Sequence, residues 1–182
     1  MTREHDVAIV GGGMAGSALA LALVRYGLTV ALIDRQPVKA PTARDEYDLR
    51  VSALSHASER VLNALGVWPE IEAVRASPYR LMEIWDAVGK GKLMFHASET
   101  GEPALGHIVE NRLVQGVLRA SLSHQARARV ICPARVDSIR LEPDAACLDL
   151  DDGSQLRARL LVGADGADSM VRGAAGIEAG TW

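Results

Sequence analysis

Short apolar runs alternate with helical stripes along this chain, and glycine or proline marks nearly every change of period. Val7 to Val10 form an apolar run that stops at Gly11; an Ala/Leu-rich stretch extends to Arg25; a second apolar run, Val30 to Ile33, closes on Asp34. This order predicts strand, turn, helix and strand. Residues 36–48 hold two prolines, several charges and no period, the pattern of an exposed loop. Arg50 to Ser55 leads into a helix over Ser58 to Leu65, where Ala57, Val61, Leu62 and Leu65 recur at helical spacing, with Ser55 or Ser58 to cap it and Gly66 to end it.

From Pro78 the period drops to two. Leu81, Glu83 and Trp85 alternate with Met82, Ile84 and Asp86, a Gly-Lys-Gly turn follows at 89–91, and Leu93 to Ala97 supplies the partner of a hairpin. Glu110 to Ala128 returns to helical spacing through Leu113, Val117, Leu118 and Leu122. Three β-rich pieces close the chain: Val130 to Leu141, Ala146 to Leu150 and Leu156 to Val162. Turns at Pro143-Asp144 and Asp151-Asp152-Gly153 separate them and predict an antiparallel meander. The fold class expected is α/β.

Composition narrows the function classes. The chain has 182 residues, is 48% hydrophobic, and carries a net charge of −3, which suits a globular chain with a buried core. Its basic residues are scattered, so no nucleic-acid partner is expected. Cys132 and Cys147 form no CxxC, and His5, His56, His96, His107 and His124 show no ligand spacing, so neither a disulfide framework nor a metal site is indicated. There is no G-x-S-x-G elbow for hydrolysis. No run approaches the roughly 18 to 20 apolar residues of a spanning helix, and the first residues lack a signal-peptide pattern. A cytoplasmic protein is expected, with peripheral contact at the inner membrane or with a biosynthetic complex left open.

Gly11-x-Gly13-x-x-Gly16 carries the first candidate chemistry. Gly11 suits a tight turn out of the strand, Gly13 lets backbone N–H groups approach a pyrophosphate, and Gly16 lets the helix pack close. Met14 and Ala15 lie at the helix start, where the dipole is positive and N–H groups lack intrahelical partners. Asp34 stands where a ribose diol would need acceptors. The same glycines occur in α/β units without nucleotide, but here the strand, helix and acid agree. A second stretch, Leu160 to Arg172, repeats the logic: an apolar strand ends at Gly163, Asp165-Gly166 turns sharply, and Ser169 to Arg172 begins a helix.

With both stretches in view the chain resembles the class A flavoprotein monooxygenases of para-hydroxybenzoate hydroxylase fold, and within them the ubiquinone-biosynthesis hydroxylases. Arg50-Val-Ser-Ala-Leu-Ser55, Leu65-Gly-Val-Trp68, Met82 to Asp86 and Leu105 to Asn111 add to the two glycine stretches, in family order, over nearly the whole chain. The resemblance implies a Rossmann-like FAD-binding domain with a parallel sheet, an antiparallel β-meander and a partial β-rich substrate-domain insertion. Its divisions would fall at 1–77, 78–107 and 108–182, with the hairpin walling a substrate pocket.

The resemblance also implies roles. Gly11, Gly13, Met14, Ala15 and Gly16 would hold the FAD pyrophosphate; Asp34, with Arg35 beside it, the adenosine ribose. Arg50 would lie near the pyrophosphate or flavin, Glu110 or Asn111, opening a helix, against the ribityl chain, and Asp165-Gly166 at the pyrophosphate or ribityl region. Arg172 would brace that turn through an acid. Arg50 can equally be a solvated loop arginine, Glu110 a first-turn helix acid, and Asp165 a turn former. No catalytic base is identified.

The activity implied is hydroxylation of a polyprenylated phenol by O2 with NAD(P)H as co-substrate, through a flavin C4a-hydroperoxide. A reductase of the geranylgeranyl type and a non-catalytic partner-binding fragment are the rival readings. The family pattern continues past the second turn, so the chain, stopping at Thr181-Trp182, is expected to be an amino-terminal portion: inactive, weaker for FAD, and self-associating through uncovered apolar surface.

Overall fold

The computed structural model describes residues 3–180. Met1, Thr2, Thr181 and Trp182, on which the expected start and stop of the chain fall, lie outside them. The elements in chain order are β1 (Arg3–Val10), α1 (Met14–Arg25), β2 (Val30–Ile33), β3 (Val51–Ser55), α2 (His56–Ala64), α3 (Trp68–Val74), β4 (Ser77–Tyr79), β5 (Leu81–Trp85), β6 (Lys92–His96), α4 (Ala97–Thr100) and β7 (Gly106–Glu110). They continue with α5 (Asn111–Ser123), β8 (Ala128–Ile131), β9 (Val136–Leu141), β10 (Ala146–Leu150), β11 (Gln155–Gly163) and α6 (Met170–Ala174).

The chain divides into two compact units, residues 1–39 with 118–182, and residues 40–117. The first is built on a six-stranded sheet ordered β8-β2-β1-β11-β10-β9. β8, β2, β1 and β11 run parallel, and β10 and β9 complete the sheet antiparallel. β2 is buried at all four positions, as an apolar strand inside a parallel sheet must be. α1 buries Ser17, Ala20, Leu21 and Val24, the small and branched side chains of one helical stripe. A core of Ala8, Ala31, Ile33, Val136, Leu148, Leu156 and their neighbours forms between the parallel strands and the meander.

Two sequence expectations need correction here. The stretch from Val130 to Leu141 is not one strand: Pro133 has no N–H to give a ladder, and the chain breaks there between parallel β8 and antiparallel β9. The helix expected to reach Ala128 ends at Ser123, because its apolar stripe runs out at Leu122 and the polar residues after it form a turn.

In the second unit, β3, β7 and β4 make an antiparallel sheet, with Val51 opposite Glu110 and Ser77 opposite Ile108. The pairing of β3 with β7 ties 51–55 to 106–110 within the compact unit of residues 40–117. β5 and β6 form the expected hairpin, with Leu81 opposite His96 and Trp85 opposite Lys92. Its alternation does not bury a face: Leu81, Ile84, Trp85, Leu93 and Phe95 are all exposed. Ser55 is the α2 cap, accepting from the Ser58 N–H at 3.4 Å, and Gly66 (φ +67°) follows the helix end. Among the described residues no helix is long and apolar enough to cross a membrane.

Candidate nucleotide-binding site

The first glycine turn leaves β1 at Val10. Gly11 adopts φ +100°, its N–H donates to the Ile33 carbonyl at 2.9 Å, and a Cβ there would overlap the Ala164 carbonyl. Only glycine suits both demands. A Cβ on Gly16 would overlap the Gly11 carbonyl oxygen and sit 3.2 Å from the Ala164 Cβ, so Gly16 is small for the turn itself as much as for the sheet. Gly13 caps α1 with extended backbone and no side-chain hydrogen bond, and the first helical turn, with half-buried Met14 and exposed Ala15, carries no acid. A helix start without cap or acid leaves its N–H groups and positive pole open to an anion. That donor set, with room only for glycine backbone, fits a pyrophosphate.

Asp34 follows β2, and its backbone is fixed on both sides: its N–H donates to the Ile131 carbonyl at 3.1 Å and its carbonyl accepts from the Ala134 N–H at 2.8 Å. Its carboxylate, 21% exposed, takes the Gln36 N–H on Oδ1 at 3.4 Å and the Arg119 guanidinium on Oδ2. Arg35 is exposed beside it. Arg119 was not foreseen. It is 8% exposed on α5, and its Nε donates to the Gly12 carbonyl at 3.3 Å and to Ser17 Oγ at 3.2 Å. The available signal was an arginine directly after Leu118 in an apolar stripe, which cannot be buried without acceptors; nothing local named them.

The second turn lies against the first because β1 and β11 are parallel neighbours in register, Val10 opposite Gly163. The Ala164 N–H donates to the Val10 carbonyl at 2.7 Å. Asp165 faces the start of α6: Oδ1 accepts from the Ser169 hydroxyl at 2.5 Å, and Oδ2 from the Met170 N–H at 2.8 Å and the Val171 N–H at 3.4 Å. Burial pushes the Asp165 pKa up, but the hydrogen bonds from Ser169 and the backbone outweigh it and hold the carboxyl below its usual value. Gly166 takes φ +90°. Arg172 forms no ion pair among the described residues; its backbone N–H donates to Ser169 Oγ at 3.0 Å, so the capping serine, not an acid, braces the turn.

The other candidates belong to the second unit. Arg50 is exposed, with its carbonyl on the Asn111 N–H at 2.9 Å. Asn111 Oδ1 accepts from the Ser52 hydroxyl at 2.6 Å. Glu110 does not open the helix as expected; it ends β7, 4% exposed. Oε1 accepts from the Asp48 N–H at 2.8 Å, Oε2 from Arg75 Nη2 at 3.2 Å, and Arg112 Nε stands 3.7 Å away. Elsewhere in this unit Glu59 bridges two histidines, at 3.2 Å from His56 Nδ1 and 2.6 Å from His107 Nδ1. His56, Glu59 and Trp68 line an open cavity of about 300 Å³ with Arg60, Asn63 and Glu102.

A parallel sheet with a glycine turn, an uncapped helix and an acid at the ends of adjacent strands defines a dinucleotide-binding α/β domain. Its particular kind follows from the comparisons: a family model described as an FAD binding domain matches residues 4–181, and the chain belongs to that family. The chain is similar to the 3-demethoxyubiquinol 3-hydroxylase of Escherichia coli (strain K12), 38% identical over 177 residues, covering 97% of this chain and 45% of that protein. It is similar also to the ubiquinone hydroxylase UbiL of Rhodospirillum rubrum, 37% identical over 172 residues, covering 94% of this chain and 39% of that protein. It therefore spans less than half the length of these relatives. The crystal structure of PqsL, a probable FAD-dependent monooxygenase from Pseudomonas aeruginosa, shares the fold with TM-score 0.73 at 24% identity, over 98% of this chain and 47% of that one. The expected α/β architecture, with parallel and antiparallel strands in an FAD-binding fold, is borne out.

Proposed function

We propose that this chain is the nucleotide-holding portion of an FAD-dependent hydroxylase acting on a prenylated phenol in ubiquinone biosynthesis. One observation carries the reading: β1 and β11 set the Gly11–Gly16 turn and the Asp165-Gly166 turn in contact at the ends of neighbouring parallel strands. The names of the relatives supply the substrate class. Gly11, Gly13, Met14, Ala15 and Gly16 present backbone N–H groups and the α1 dipole to the pyrophosphate, and Asp34, with Arg35 beside it, takes the ribose hydroxyls. Asp165 and Gly166 shape the backbone next to the pyrophosphate. The roles of Arg50, Glu110 and Asn111 at the flavin rest on the family resemblance alone.

When bound, FAD supplies the redox and oxygen chemistry, with NAD(P)H as reductant and O2 as the source of the inserted atom. The residues of this chain bind and orient it. The test has two parts. Purified protein should be yellow, with FAD released on denaturation. A protein containing this domain, given NAD(P)H, O2 and a prenylated phenol, should yield a product heavier by one oxygen. A colourless protein that takes up no added FAD ends the proposal; flavin uptake with no oxygenated product from any phenol redirects it to another flavoenzyme class.

A further inference from the structure

Arg119 belongs to neither glycine motif, yet it is the side chain that joins the parts of the first one. We propose that Arg119 is a positioning residue for the adenosine diphosphate half of FAD, acting through the Asp34 carboxylate and the Gly12 peptide; this deepens the FAD reading above and rests on it.

Three observations carry the inference. The guanidinium is nine-tenths buried, and its partners among the described residues all belong to the turn or its flanks: the Gly12 carbonyl, Ser17 Oγ and Asp34 Oδ2. Ser17 Oγ donates to the same Gly12 carbonyl at 2.9 Å, so that oxygen is held from two sides. A peptide unit is planar and trans, with its N–H directed opposite its C=O. Drawing the Gly12 carbonyl inward to Arg119 therefore aims the Gly13 N–H outward, on the side where the uncapped α1 start would meet a phosphate.

The second arm of the fork fixes one oxygen of Asp34, leaving Oδ1, among the described residues, with only the 3.4 Å contact from Gln36. A planar fork reaches a carbonyl and a carboxylate at once; an ammonium is a single point. The third observation explains a glycine outside the motif: a Cβ on Gly12 would overlap the Arg119 guanidinium and lie 2.6 Å from Asp34 Oδ2. Gly12 is thus small to admit Arg119, not the nucleotide.

The test titrates FAD into apo-protein, read by quenching of flavin fluorescence, for wild type, Arg119→Met, Arg119→Lys, Asp34→Asn and the double variant Arg119→Met/Asp34→Asn, with thermal midpoints recorded alongside. Arg119→Met should raise the Kd for FAD roughly ten- to a hundredfold, the effect of losing one charge-assisted hydrogen bond or more. ADP should lose potency as a competitor in the same ratio. In the Asp34→Asn background the same substitution should cost clearly less, because the carboxylate charge through which one of its two routes acts is already gone. Arg119→Lys should fall between wild type and Arg119→Met. A wild-type Kd in Arg119→Met overturns the inference, and so does an equal loss in both backgrounds, the mark of general destabilisation. Should the methionine variant not fold, the lysine variant decides: a weakened Kd supports the inference and a wild-type Kd overturns it. Wild-type protein that takes up no FAD removes the FAD reading itself, and is told apart because no Kd exists to compare.

Discussion

Asp34 and Glu110 both stand at the end of a short strand, β2 and β7, and each holds an arginine in the folded protein. Their surroundings separate them. Asp34 keeps a fifth of its side chain exposed beside a glycine turn and an uncapped helix, with one carboxylate oxygen almost free. Glu110 is 4% exposed and spends both oxygens on the Asp48 N–H and Arg75, with Arg112 close by. Arg75 also donates to the Asp45 carbonyl at 2.8 Å and stacks over Tyr47, 4.4 Å from the ring centroid, so Glu110 anchors the loop from Asp45 to Arg50 in place. An acid with spare acceptor capacity at a surface is available to a ligand; one with none is part of the frame.

Breaking Glu110 should have the largest effect. Glu110→Ala leaves the half-buried Arg75 without its counterion and the Asp48 N–H without an acceptor, a loss of about 3 kcal/mol. For a chain of this size that corresponds to a midpoint lower by roughly 10 °C. Thermal unfolding followed by circular dichroism measures it. A midpoint within a degree or two of wild type would mean that the network holds nothing the loop needs.

Asp34→Asn sharpens the other side of the comparison. Asparagine keeps an acceptor for Arg119 but gives up the charge, so stability should change by less than about 1 kcal/mol, while FAD affinity falls about tenfold. Isothermal titration with FAD and a melting curve on the same preparation separate the two quantities. If Asp34→Asn melts early and binds normally, the assignment of the two acids must be exchanged.

What was legible in the chain follows from how local its causes are. The strand-turn-helix-strand from Val7 to Asp34 could be read because glycine, period and acid lie within a few turns of one another. The Asp165-Gly166 turn was read for the same reason. That the two turns touch required knowing that β11 pairs parallel with β1, a contact between opposite ends of the chain which no local pattern encodes. β7 was missed because Gly-His-Ile-Val-Glu is short and runs straight into helical residues; only its pairing with β3 makes it a strand and puts Glu110 at its end. Arg119 is the plainest case, since its acceptors are Gly12, Ser17 and Asp34, brought to it by tertiary structure alone.

The smallest effect concerns Glu59, a second-unit acid that, like Glu110, serves the frame. His56 directs Nδ1 at Glu59 Oε2 and Nε2 at the Ala104 carbonyl, 2.8 Å away. Both partners are acceptors, so only the doubly protonated ring satisfies both nitrogens. The Ala104 carbonyl first, then Glu59 and the nearby Glu102, hold the His56 pKa above its usual 6.5, against a smaller opposing effect of burial. His107 shares Glu59 from β7. A folded pKa above the unfolded one gives stability that is complete below about pH 6.5 and is lost as pH rises through the folded value. His56→Gln keeps one donor and cannot titrate. The midpoint difference between wild type and His56→Gln should therefore be widest near pH 6 and close progressively toward pH 8.5. A difference that stays flat across that range would show that His56 carries the same proton folded and unfolded, and that Glu59 holds the 102–105 segment through the neutral ring.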